Sequence, residues 1–148
     1  MIEAIYLCLK VLKITRKVRL MKTDKHDVIE TIIQQEKIAN DFGFCWEDID
    51  QVLDQIKSEC NEVKLAWLRG DKENLAEEIG DLINATLSLT IFCDFDPIDL
   101  IEKNNKKFQA RFNTVVALAK KDGLDTLKGQ PLVVLLSYWE KAKQLTGS

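Results

Sequence analysis

Residues 59–81, ECNEVKLAWLRGDKENLAEEIGD, decide the fold. They hold Glu59 and Glu62, then fifteen intervening residues, then Glu78 and Asp81. Each acidic pair has the i, i+3 spacing that sets two side chains on one face of a helix. The intervening stretch breaks at Arg69-Gly70-Asp71, a connection of the length that joins two helices. Two antiparallel helices would then bring the four carboxylates together. At ~5 Å and an effective dielectric near 20, each like-charged pair repels by roughly 3 kcal/mol, so the cluster calls for a neutralising cation.

The remaining ligand chemistry narrows the choice of cation. The chain has one histidine, His26, far from the acids, and no Glu-x-x-His pair of the di-iron kind. Its four cysteines, Cys8, Cys45, Cys60 and Cys93, show no CxxC spacing, which argues against a thiolate zinc site. All-oxygen ligation suits Mg2+, with Mn2+ as a substitute, and such ions usually complete their shell with substrate phosphates. The expected ligand is therefore a nucleotide.

A chain of 148 residues with 46% apolar and 30% charged residues can bury one core, and its net charge of −3 argues against nucleic acid as a partner. The absence of CxxC spacing and of a secretory signal favours a reducing cytoplasm. No uncharged stretch is long enough to span a bilayer.

Residues 1–21 form a separate N-terminal extension, apolar early and basic later, read either as an extra helix or as a segment ahead of a start at Met21. A membrane-surface helix is the minor reading of this segment. Residues 22–148 read as helices. One is expected over about Lys25 to Asn40. The next, about Glu47 to Leu68, carries Ile49, Val52, Leu53, Ile56, Cys60, Val63 and Trp67 as its apolar seam, with Glu59 beside it. Gly70 ends that helix and Asp71 caps the following one, about Lys72 to Cys93, whose uncharged run LINATLSLTIFC reads as buried on most sides. Asp96 caps a fourth helix with Pro97 at its first position, running to the Asp122-Gly123 break. Its stripe Ile98, Ile101, Phe108, Phe112, Val115 and Val116 reads as core, while Lys103, Lys107 and Arg111 line another face. A basic stripe of this kind is more often simply solvated than phosphate-binding. A last helix, about Leu132 to Leu145, turns Leu135, Leu136 and Trp139 inward.

Taken in order, the ExxE, spacer, ExxD pattern, the approach FGFCWEDIDQVLDQIKSECNE, the run EEIGDLINA and the segment DPIDLIEKNNKKFQARF resemble the MazG family of nucleoside triphosphate pyrophosphohydrolases. The resemblance covers about residues 25 to 143. It implies an all-α, antiparallel helical bundle of the all-α NTP pyrophosphatase type, usually a homodimer, that cleaves an NTP or dNTP to the monophosphate and pyrophosphate with Mg2+. It also implies that Glu59, Glu62, Glu78 and Asp81 form the catalytic metal centre. Asn105, Lys107 and Arg111, within NKKFQAR, would meet the phosphates or nucleotide, as would Trp139 and Lys143 within WEKAK. Trp139 fits packing and binding equally well. Two other readings stay open: a dimeric helical scaffold that keeps the acids without catalysis, and an interaction module built on the basic N-terminus.

Overall fold

Short breaks divide the described residues into five helices. The computed structural model describes residues 28–147, where α1 spans Val28–Asp41, α2 Ile49–Arg69, α3 Lys72–Phe92, α4 Pro97–Lys121 and α5 Leu132–Thr146. No strand occurs among the described residues, so the all-α expectation holds. The extension 1–21, His26 and Cys8 lie outside them. The chain divides into two units between Cys45 and Trp46; α1 belongs to the first, α2 to α5 to the second.

Most ends of α2, α3 and α4 have a local chemical cause. Asp48 starts α2 by accepting the Gln51 N–H at 2.9 Å, while the Gln51 side chain accepts the Glu47 N–H at 3.1 Å, a near relative of the capping box. Gly70 stops α2 with φ 71°, a left-handed conformation that only glycine adopts without strain. Asp71 then caps α3 through the Asn74 N–H at 3.1 Å. Asp96 caps α4 through the N–H groups of Ile98 and Asp99, and Pro97 occupies the first turn, fully buried. At the other end of α4, Leu124 N–H bonds to Ala119 O and Gly123 N–H to Lys120 O, the paired closure of a Schellman motif.

In the second unit α2 packs along α3 and α4 along α5, whereas α3 and α4 touch only sparingly. The second hairpin holds a small core in which Val115 and Ala119 of α4 meet Tyr138 and Ala142 of α5, flanked by Leu118, Leu124, Leu127, Val134 and Trp139. Alanine on both facing helices lets their backbones approach closely. The Tyr138 hydroxyl donates to Asp122 Oδ2 at 2.8 Å, tying α5 to the C-terminal end of α4. That bond raises the Tyr138 pKa, since the phenol donates to a carboxylate, with burial and the Asp122 charge adding to it.

Several expectations about packing change, among them that of Leu135 and Leu136 on α5, which are exposed. The buried line of α2 is Val52, Glu59 and Ala66, seven residues apart, so Glu59 lies within the seam while Trp67 and Cys60 are exposed. On α3 the buried positions are Glu78, Leu87 and Ser88, and Ile79 and Ile83 face outward despite the uncharged sequence around them. On α4 only Val115 of the expected stripe is buried; Ile98, Ile101, Phe108, Phe112 and Val116 are exposed. The exposure on α3 and α4 has a common reason. Few contacts join the two hairpins, and an apolar stripe needs a facing helix to become core.

Candidate metal centre

The tight turn at Gly70 and Asp71 folds α3 back along α2, and this brings Glu59 of α2 into one group with Glu78 and Asp81 of α3. One carboxylate oxygen from each of Glu59, Glu78 and Asp81 lies within 4.8 Å of the others. Glu59 is 3% and Glu78 5% exposed, so these are not surface acids that water can screen. Oε2 of each is buried and has no hydrogen-bond partner. An ionised carboxylate left in that state is costly, and a bound cation is the partner that removes the cost. The donor set is all oxygen and hard, which fits Mg2+ or Mn2+.

The electrostatics agree. Burial pushes the Glu59 carboxyl above the ordinary range; Glu62 and Asp81 push the same way, and a hydrogen bond from Gln55 opposes them. Glu78 is raised first by burial, then by Glu62, Asp81, Glu59 and Glu77. Asp81 is raised by burial, then by Glu77 and Glu62. Glu62 therefore stands close enough to act on all three, although it is outside the tight group, and its Oε1 accepts from Ser58 Oγ at 3.4 Å.

Two residues that escaped the sequence reading sit directly behind the acids. Gln55 donates its side-chain amide to Glu59 Oε1, and Ser58 donates to Glu62. Both act from four residues earlier on the same helix, a spacing that was readable once the ligands were known. Glu77 is a third, through its effect on Glu78 and Asp81.

The basic and aromatic candidates form a different group. On α4, Asn105 and Lys107 are exposed and Arg111 is half-buried. The Arg111 guanidinium lies 6.0 Å from the centre of the Trp139 ring, and its buried Nε has no hydrogen-bond partner. Trp139 also meets Phe108, with ring centres 5.6 Å apart. Lys143 pairs with Glu140 at 2.6 Å. Arg111 and Trp139 are thus brought together, but among the described residues no ion pair joins the four acids to Lys107, Arg111 or Lys143.

Residues 47–116, from the approach to α2 through most of α4, match the MazG nucleotide pyrophosphohydrolase domain. These residues form a MazG domain. The chain is 39% identical over 105 residues to a nucleoside triphosphate pyrophosphohydrolase/pyrophosphatase MazG of Thermotoga maritima, covering 71% of this chain and 40% of that protein. It is 30% identical over 112 residues to a nucleoside triphosphate pyrophosphohydrolase of Escherichia coli K12, covering 74% of this chain and 42% of the relative. The chain therefore spans about two fifths of the length of these relatives. All four acids of the metal-centre candidate fall inside the matched MazG domain, while Trp139 and Lys143 lie beyond it.

Proposed function

We propose that this chain is a Mg2+-dependent nucleoside triphosphate pyrophosphohydrolase, with Mn2+ able to substitute, that converts an NTP or dNTP and water to the monophosphate and pyrophosphate. The observation that carries the reading is the pair of buried, unpartnered oxygens on Glu59 and Glu78 within a MazG domain. The names of both relatives support the same chemistry.

In this reading Glu59, Glu62, Glu78 and Asp81 hold the metal. Bound there, a divalent cation supplies Lewis-acid chemistry and screens the triphosphate. One of the four carboxylates accepts the proton of the attacking water. Lys107 and Arg111 offset charge on the pyrophosphate leaving group, Asn105 and Lys143 contribute polar contacts, and Trp139 lies against the nucleotide. Since Trp139 already packs against Phe108 and Arg111, its role combines packing with binding.

The reading extends to assembly and location. Exposed apolar side chains on α3 (Ile79, Ile83) and α4 (Ile101, Phe108, Phe112) favour a homodimer that covers them. The described cysteines, Cys45, Cys60 and Cys93, are free, as in a reducing cytoplasm, and no described helix is long and apolar enough to cross a membrane.

The test is pyrophosphate release from each common NTP and dNTP with Mg2+, and again with chelator. Metal-dependent release from at least one nucleotide is expected. No release from any, with the protein folded and Mg2+ bound, would leave a non-catalytic scaffold in its place.

A further inference from the structure

Glu59 offers two unequal oxygens. Gln55, one turn earlier on α2, donates to Oε1, while Oε2 stays buried with no protein partner. A comparable amide and carboxylate pair on α1, Gln34 with Glu30 at 2.9 Å, is exposed and needs no explanation beyond helix-surface pairing. The Gln55 pair differs because its acceptor is 3% exposed and belongs to the acidic group. Burial of Glu59 limits competition from solvent for Oε1, so the amide fixes which oxygen is left over.

This matters for cation choice. Ca2+ has a large, variable oxygen shell and readily takes both oxygens of one carboxylate, whereas Mg2+ and Mn2+ are smaller and suit one oxygen from each ligand. We propose that Gln55 is a positioning residue that holds Glu59 as a one-oxygen ligand and thereby favours Mg2+ or Mn2+ over Ca2+. The inference rests on reading the acidic group as a cation site.

The experiment is Mn2+ titration of the full chain without nucleotide, read by electron paramagnetic resonance, with Ca2+ as competitor. Wild type should bind Mn2+ and resist displacement by Ca2+. Gln55→Leu should weaken Mn2+ binding about tenfold, the usual effect of losing a group that orients a ligand. Ca2+ affinity should hold, so the Ca2+ to Mn2+ ratio moves about tenfold toward Ca2+. Gln51→Leu, one turn further from the acids, is the control and should leave both affinities unchanged. Gln55→Ala repeats the measurement with a side chain that cannot disturb the helix, and circular dichroism checks the fold of each variant. If wild type binds Mn2+ and neither Gln55 variant changes the ratio, the positioning role is overturned while the cation site stands. If wild type binds no Mn2+, both are overturned.

Discussion

Glu59 on α2 and Glu78 on α3 face a shared acidic group from opposite arms of one hairpin, each with a buried Oε2 that no protein atom satisfies. Their carboxyls are raised above the ordinary value of 4.5, mainly by burial. A carboxyl raised on folding binds more protons in the native state, so it lowers stability as pH climbs from the ordinary range through its raised value. In chelator, the melting temperature should therefore fall as the pH rises above the ordinary carboxyl range. Saturating Mg2+ should remove that slope, because the cation binds the ionised folded state. Melting curves across that rise in pH, with and without Mg2+, check the sign. A slope of the opposite direction in chelator would mean that the acids are already satisfied within the protein.

The same burial separates stability from activity at one residue. Glu78→Gln removes a charge and nearly keeps the shape, so the metal-free variant should melt higher than wild type at pH 7. Its pyrophosphate release should fall by more than about a hundredfold, since even groups that only orient a ligand contribute up to that factor. Glu62→Gln should lose activity similarly but gain less stability, because Glu62 is only half-buried. Steady-state rates and melts on both variants decide it. Activity retained in both, with chelator present, would dispose of the metal mechanism.

What could be read from the sequence was what the chain settles locally. Asp71, Asp96 and Pro97, and the stop at Gly70 act within one turn of themselves, and all occur where expected. The i, i+3 acids were equally plain, because helix geometry alone aligns them. The rotation of α2 was not, since Val52, Glu59 and Ala66 line up only if a neighbouring helix accepts a carboxylate and an alanine in its contact line. Nor was the exposure of the α4 stripe, which depends on how little α3 touches α4. Gln55 was invisible until Glu59 was known to be buried.

On α4 the basic residues should matter for substrate and little for folding. Lys107→Ala and Arg111→Ala should each lower kcat/KM by tenfold or more, as a charge-assisted contact contributes about 1.5–3 kcal/mol. Lys107 is exposed, and its removal should leave the melting temperature nearly unchanged. Arg111 lies against Trp139, so its loss should cost up to about 1 kcal/mol of stability as well. Wild-type kinetics in both variants would confine the site to the acids.

Asp94 follows α3 in the left-handed region, with φ 59°, while Phe95 N–H closes onto Thr90 O and Asp94 N–H onto Ile91 O. This is the Schellman position normally held by glycine. A residue with a Cβ is disfavoured there by about 1–2 kcal/mol. Asp94→Gly should therefore stabilise the protein by up to about 1 kcal/mol after its greater unfolded-state freedom is counted. Urea denaturation measures the change, and a loss of stability would show that the Asp94 side chain makes a compensating contact.

Phe108 tests the assembly. From the sequence alone it reads as core, and Phe108→Ala would cost about 3–5 kcal/mol. It is instead half-exposed, stacked on Phe112 at 6.0 Å and tilted against Trp139. Within one chain those two ring contacts are worth about 0.5–1.5 kcal/mol each beyond burial, so the substitution should cost roughly 1–3 kcal/mol in a monomer. If the exposed α4 stripe is covered by a second copy, the same change should also weaken association and make the melting temperature depend more steeply on protein concentration. Sedimentation equilibrium at micromolar concentration distinguishes the two, since the homodimer reading requires a dimeric wild type and a shift toward monomer in Phe108→Ala. A wild type that sediments as an active monomer would mean that the apolar stripe of α4 stays open to solvent and that one chain suffices for the reaction.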